Sequence, residues 1–248
     1  MRKALLERWL DRVPLWDAVV DVLSAHAVQT YLVGGSVRDA LLERPGHDVD
    51  FAVDGEAMVL ARRVADALGA AYVPLDEEHD VARVVLCLGR ERYNLDFAGL
   101  RAEEIEGDLW ARDYTVNAMA VAVDNDLGAF YDPTGGESDL AAGVLRITQA
   151  RAFADDSLRI LRGLRLRGLL GFSLTPETEV LARHWLFALK KISAERIRDE
   201  LFQILDLPCA VPTLRYGAEL GLFRVVLSEL GTRLAPALKT LTALEWYF

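Results

Sequence analysis

Apolar residues return at helical spacing over residues 15–26, and the opening run MRKALLERWLDRVPLWDAVVDVL mixes them with acidic ones, so the chain is expected to begin on helices of its fold. TYLVGG then reads as a strand entering a turn, and SVRDALLER as a helix with Val37, Ala40 and Leu41 at helical spacing. Pro45-Gly46 stops that helix, and DVDFAV alternates as a strand. EAMVLARRVADALG (56–69) reads as a helix with Gly69 as its stop. ARVVLCL and RYNLDFA are two further strands, and ARDYTVNAMAVAV leads into another helix or a strand pair. From Ala150 onward strands vanish. Helical periodicity runs through SLRILRGLRLRGLLGF, PETEVLARHWLFAL and SAERIRDELFQIL, Pro208 and Pro212 break it, and helices over 213–231 and 236–246 finish the chain. The expected class is α+β, with a mixed-sheet head over residues 1–140 and an all-helical part over 141–248.

A chain of 248 residues that is 52% hydrophobic and 27% charged has the make-up of a globular protein with an ample core. No apolar run approaches the roughly 18 residues that a membrane-spanning helix needs. Cys87 and Cys209 offer neither a CxxC spacing nor a disulfide ladder, so a cytosolic protein without a zinc site is expected. The net charge of −10 speaks mildly against a nucleic-acid binder, yet residues 146–200 carry 11 Lys and Arg against 7 Asp and Glu. That segment is the better candidate for meeting a polyanion.

The candidate chemistry starts at YLVGGSVRDALLERPGHDVDFAV (31–53). A strand, two glycines and a helix put backbone N–H groups and a helix N-terminus at one spot, which suits a phosphate, with Ser36 as N-cap. A lone Gly-Gly is more often a turn with backbone demands, and neither the dinucleotide-binding nor the P-loop fingerprint is completed. Asp48 and Asp50 stand two apart in a strand, so they project from one side while Val49 and Phe51 face the core. Two such carboxylates repel unless a cation lies between them, and hard oxygen donors point to Mg²⁺. Asp96, between Leu95 and Phe97, lies on the polar side of its own strand. Three strand carboxylates beside a phosphate-cradling turn are what two-metal phosphoryl transfer requires.

These residues resemble a known family. GGSVRDALLERPGHDVDF is similar to the first motif of the class II tRNA nucleotidyltransferases and bacterial poly(A) polymerases, within the polymerase-β superfamily. RDYTVNAMA resembles its ribose-reading motif, YDPTGGESDLAAGVLRIT its head-to-neck connection, DDSLRILRGLRLRGLLGF its base-reading neck helix and SAERIRDEL its last neck motif. The resemblance implies a polymerase-β-type head followed by a helical neck. It implies an enzyme that adds C, A or both to the 3′ end of tRNA from CTP and ATP with no template. Asp48, Asp50 and Asp96 would bind the catalytic metals, and Gly34, Gly35, Ser36 and Arg38 would meet the nucleotide. Arg112, Asp113 and Asn117 would contact it too, with Asp113 on the ribose 2′-OH. In the neck, Asp156, Arg159 and Arg162 would contact the nucleotide. At i, i+3 on a helix, Asp156 and Arg159 share one face. An aspartate accepts from an exocyclic amine while an arginine donates to a ring nitrogen, which suits cytosine and adenine and repels uracil and guanine. For Glu195, Arg196 and Glu200 a capped helix with an Arg196–Glu200 pair is the expectation.

The chain departs from the family in places. Few residues separate Arg101 from Arg112, where many CCA-adding members carry a longer flexible loop, and this points toward CC addition. Ala111 stands where a second arginine is usual, and Asp155 replaces a glutamate. The chain also stops soon after the neck, as in a shortened chain or a member that handles tRNA differently. A poly(A) polymerase is the alternative within the family. Outside it, His47-Asp48 and His79-Asp80 raise a metal phosphohydrolase, and DxD raises a sugar-nucleotide transferase. Oligomeric state is not legible, and no membrane partner is expected.

Overall fold

The computed structural model describes residues 2–26, 28–123, 127–208, 210–227, 236, 239 and 240. The chain divides into two compact units, Met1–Ser138 and Asp139–Phe248. The first contains α1 (Arg2–Leu10), α2 (Trp16–Ser24), β1 (Gln29–Val33), α3 (Gly35–Leu41), β2 (Asp48–Asp54), α4 (Ala57–Leu68), β3 (Ala71–Asp76), β4 (Val81–Leu88) and β5 (Glu91–Gly99). It continues with α5 (Ile105–Ala111), a 3-10 turn (Thr115–Asn117), β6 (Ala120–Val123) and β7 (Leu127–Tyr131). The seven strands form one sheet in the order β3-β4-β5-β2-β1-β6-β7. Only β2 and β5 run parallel, so the sheet is mixed, as the α+β expectation required.

Strict alternation sorts the two faces of the central strands. Val49, Phe51 and Val53 of β2, Tyr93, Leu95 and Phe97 of β5, and Ala82, Val84 and Leu86 of β4 are all buried on the back. There α4 packs on β4 and β5, while Trp16 of α2 stacks on Phe51, which stacks on Phe97 at 4.7 Å. Each such side chain removed from water contributes about 1.5–3 kcal/mol. On the front, α5 lays Ile105 and Leu109 over Tyr31, Val33, Ala52, Ala118, Ala120 and Ala122. That cover ends before the N-terminal half of β2, where the polar positions of β2 and β5 lie.

The second unit holds the rest of α6 (Gly136–Ala142), β8 (Val144–Leu145), α7 (Ala152–Asp155), α8 (Arg159–Leu170), β9 (Ser173–Leu174) and α9 (Pro176–Trp185). A 3-10 stretch (Leu186–Lys191), α10 (Ala194–Leu205), α11 (Ala210–Leu220) and α12 (Phe223–Val226) follow. Helix α8 packs on α10 and α11. Gly168 of α8 lies so close to Thr213 and Leu207 that any side chain there would overlap them.

Some expectations need correction. Strands do not vanish after Ala150, because β9 pairs in parallel with β8 through Ser173 and Leu174. Two residues are too few to show a period. Pro212 does not break a helix but sits in the first turn of α11, where its missing N–H costs nothing. The helix expected over 213–231 is divided at Gly221, which adopts φ 92°, and its end lies outside the described residues, as does the helix expected over 236–246 except for residues 236, 239 and 240, which are helical. Strand β3 was not expected. Its Pro74 is tolerated because β3 is a sheet edge, with a register shift between Pro74 and Asp76.

Gly136 begins α6, with its N–H donated to Asp132 at 2.6 Å, and an added Cβ would collide with the Thr115 carbonyl. Backbone cannot yield as a side chain does. Gly136→Ala is therefore expected to destabilise the protein by about 1–3 kcal/mol, read as a fall in the urea midpoint at constant slope. An unchanged midpoint refutes this packing.

Candidate functional site

The parallel register of β2 and β5 sets Asp50 opposite Asp96 and Asp48 opposite Asn94. All four project from the front of the sheet, away from Phe51 and Phe97. Three carboxylates from two strands thus share one open stretch of sheet. Each has a tether. Asn94 donates to Asp48 at 2.7 Å. Arg83, opposite Asp96 on β4, donates Nε to Oδ1 and Nη2 to Oδ2, both at 2.7 Å. The Asp50 backbone N–H donates to the Ser36 hydroxyl at 2.8 Å, and that hydroxyl donates to the Asp48 carbonyl at 3.3 Å.

The diglycine turn is against this trio. A Cβ on Gly34 or on Gly35 would stand 3.6 Å from Asp50 Oδ2. Gly34 has φ 66° and ψ −130°, a conformation that favours glycine, and its Cβ would also press on Arg112 Nη1 at 3.0 Å. Gly34 itself occupies the N-cap position of α3, so Ser36 is not the cap. It lies inside the helix and ties the turn to β2 instead. Nor is the Gly34 N–H available, since it donates to the Met119 carbonyl at 3.2 Å. The N–H groups of the first helical residues remain directed away from the helix.

Two guanidiniums flank the turn. Arg38 is buried, grips Asp39 at 2.9 and 2.8 Å, and donates to Asn117 Oδ1 at 2.5 Å. Arg112 is held by the buried Asp108 at 2.9 Å through Nε. Asn117 in turn donates to Asp113 Oδ1 at 3.2 Å, and that oxygen also accepts from the Tyr114 N–H at 2.8 Å. Arg38, Asn117 and Asp113 therefore form one buried polar chain beside Gly34 and Gly35, and Arg112, gripping Asp108, borders the same turn.

Burial, then the charges of Asp96 and Asp48, push the Asp50 carboxyl up to about 6, against the pull of Arg112 and Arg38. Arg83 is held more firmly protonated, chiefly by Asp96, with Asp48 and Asp50 adding to it. Among the described residues no three such groups stand at metal-ligating distance as placed. Their chemistry nevertheless fits a hard divalent cation: all donors are oxygens, and the strain on Asp50 is the kind that an added positive charge relieves.

In the second unit the structure corrects two readings. Asp156 is not on a helix with Arg159. It precedes α8 in extended conformation, and its Oδ1 accepts from the Leu158 N–H at 3.0 Å, as a cap would. Arg196 does not pair with Glu200. It reaches across to Asp156 Oδ2 at 2.8 Å, while Glu200 accepts from Arg165 at 2.8 Å. The cap of α10 by Ser193 is as expected, at 3.5 Å. Arg159 and Arg162 stand one turn apart on α8.

Sequence reading missed Arg83, Asn94 and Asp108. Parity carried a signal for the first two: Asn94 is two residues before Asp96, and Arg83 interrupts an apolar strand on one side only. Among the described residues neither histidine of the two His-Asp pairs joins a ligand cluster. His47 stacks on Tyr93 at 4.6 Å, His79 bonds Asp76 at 2.8 Å, and Asp80 caps α4 through the Ala57 and Met58 N–H groups at 2.6 and 2.9 Å.

Residues 30–146 match the family described as the poly(A) polymerase head domain, and residues 171–233 match the probable RNA- and SrmB-binding site of polymerase A. A CC-adding tRNA nucleotidyltransferase of Geobacter sulfurreducens is 43% identical over 80% of this chain and 45% of its own length. An A-adding tRNA nucleotidyltransferase of Halalkalibacterium halodurans is 31% identical over 77% of this chain and 48% of its own. The solved CCA-adding enzyme of Thermotoga maritima complexed with tRNA superposes with a TM-score of 0.76 at 30% identity, over 88% of this chain and 54% of that one. This chain spans about half the length of the curated relatives it matches.

A carboxyl that binds its proton more tightly folded than unfolded opposes folding once pH rises above its ordinary value of 3.8, and the cost is complete above about 6. Asp50→Asn removes that charge. In chelator-treated protein the variant is expected to be more stable than the parent by about 1–3 kcal/mol at pH 8, with the gap closing toward pH 4. Denaturant titrations at the two pH values measure it, and a gap independent of pH refutes the assignment.

Proposed function

We propose that this chain, which belongs to the tRNA nucleotidyltransferase and poly(A) polymerase family, adds nucleotides to the 3′ end of tRNA without a template, using CTP and ATP. One observation carries the reading: three carboxylates on the open stretch of β2 and β5 meet a diglycine turn flanked by Arg38 and Arg112. Residues 1–140 are assigned to the nucleotidyltransferase head and 141–248 to the neck.

Asp48, Asp50 and Asp96 would hold Mg²⁺; enzymes of this family use divalent metal ions. When bound, such ions supply charge stabilisation to the triphosphate and lower the pKa of the attacking 3′-hydroxyl. Gly34 and Gly35 give the triphosphate close access to the backbone, including the N–H of Ser36 in the first turn of α3, and Arg38 and Arg112 offset its negative charge. Asp113 and Asn117 serve the ribose 2′-OH, an acceptor and donor pair held in place by Arg38. In the neck, Asp156 accepts from the exocyclic amine of cytosine or adenine while Arg159 donates to the neighbouring ring nitrogen. Arg162, a turn further along α8, adds positive charge toward the same nucleotide. No described helix is long and apolar enough to cross a membrane, and we place the enzyme in the cytoplasm.

CC addition is favoured over synthesis of the full CCA end. The stretch between Arg101 and Arg112 is occupied by α5, which is committed to covering the sheet and leaves little chain for a switching loop. Incubation with Mg²⁺, labelled CTP, ATP, UTP or GTP, and tRNA lacking its 3′ end is expected to give a product two C residues longer. A single A, or a long A tract, selects the other members of the family, and no incorporation overturns the reading. Asp50→Ala should abolish transfer. Asp156→Ala should instead raise use of UTP relative to CTP by about tenfold or more, and an unchanged ratio removes Asp156 from base reading.

A further inference from the structure

Arg83 lies outside every motif, yet it makes a two-pronged contact with one carboxylate of the trio. Its guanidinium meets Asp96 as a fork, Nε to Oδ1 and Nη2 to Oδ2, both at 2.7 Å. The pair is set by register: Arg83 is directly opposite Asp96 in the β4–β5 ladder, as Asp50 is opposite Asp96 in the β2–β5 ladder. Asp96 therefore stands between a guanidinium on one side and a second carboxylate on the other. Both partners are largely shielded, with 31% and 23% of the side-chain surfaces exposed.

We propose that Arg83 is a built-in competitor for the divalent cation: it occupies Asp96 as a counter-ion, keeps the carboxylate trio tolerable without metal, and holds the trio's intrinsic metal affinity low. This inference rests on the reading of Asp48, Asp50 and Asp96 as the metal-binding carboxylates. The physical grounds are two. A fork uses both carboxylate oxygens in their favoured directions, so a metal ion must displace at least one of two charge-assisted hydrogen bonds to gain a good bond to Asp96. Arg83 also places a fixed positive charge beside the trio, which repels an incoming cation through poorly screened surroundings. An ordinary orienting partner acts in the opposite sense. It holds one oxygen, leaves the other to the metal, and its loss weakens binding. Asn94 on Asp48 has that form, with a single neutral donor at 2.7 Å. Arg83 is thus a positioning residue whose effect on metal affinity has the reverse sign. A consequence is that metal is retained firmly only once a triphosphate adds its own oxygen ligands.

The test is Mn²⁺ binding by the full chain, stripped with chelator and followed by the electron paramagnetic resonance signal of free Mn²⁺. Arg83→Met is expected to bind Mn²⁺ about tenfold more tightly than the parent. Arg83→Lys, which keeps the charge and loses the fork, should fall between them. In an Asp96→Asn background Arg83→Met should change affinity less than about twofold, because the competition is gone. The melting temperature of Arg83→Met should be below the parent's in chelator and recover with saturating Mn²⁺. Parent and Arg83→Met binding Mn²⁺ equally, or Arg83→Met binding more weakly, overturns the competitor role and leaves the metal reading of the trio standing. Binding by neither overturns that metal reading and this inference with it.

Discussion

The head depends on one constraint, the register between β2 and β5. Side chains in a strand alternate with a period of two, so a slip by one residue would send Asp96 to the back and Phe97 to the front. Pairing Phe51 with Phe97 on the buried side is what forbids the slip, because it would expose two stacked rings and bury a carboxylate. The apolar side thereby aims the polar side. Asp50 and Asp96 are held opposite each other by aromatic packing that never touches them.

That placement is strained, and the surrounding residues show how the strain is contained. Asp50 is pushed up to about 6 by burial and by its neighbours' charges. Arg83 offsets Asp96, Asn94 satisfies Asp48, and Arg112 and Arg38 pull against the shift on Asp50. The protein's net charge of −10 is a poor guide to such a place. Within a few ångströms the sign of the field is set by which side chains the register brings together, and Arg38, Arg83 and Arg112 all gather at the trio.

Most of the head was legible because its signals are periodic. DVDFAV and RYNLDFA declared both their strands and their two faces, and the diglycine after TYLV declared the turn. What was not legible depends on partners remote in sequence. Arg83 is an unremarked polar residue in ARVVLCL until β4 is laid against β5. Ser36 looks like an N-cap by position, and only the fold shows its hydroxyl spent on the Asp50 N–H. Helix α5 was missed because EEIEGDLWA is short and carries Gly107 in its middle, so its apolar Ile105 and Leu109 define barely one turn. β3 was hidden by Pro74, which demotes a strand by the general rule and is harmless at an edge. In the second unit, β8 and β9 fall below the length at which any period can be seen.

The ion pairs of the second unit were misjudged for the same reason, and their correction changes their meaning. Within one helix, Arg196 and Glu200 would form a local pair worth a few tenths of a kcal/mol. In the structure each leaves α10 to reach another element, Arg196 to Asp156 and Glu200 to Arg165 of α8. Arg196 is 52% exposed and Asp156 27%, so their attraction is screened and adds little to stability. Its value is directional. Asp156 lies between α7 and α8, with its backbone bonded to Ala152 and Arg159, and two contacts remove the freedom of its side chain: the Leu158 N–H on Oδ1 and the Arg196 guanidinium on Oδ2. A carboxylate held at both oxygens before a ligand arrives loses less entropy on accepting a hydrogen bond than one that is free to rotate. For a residue proposed to tell an amine from a carbonyl on a base edge, that fixed aim matters more than the energy of the pair that provides it.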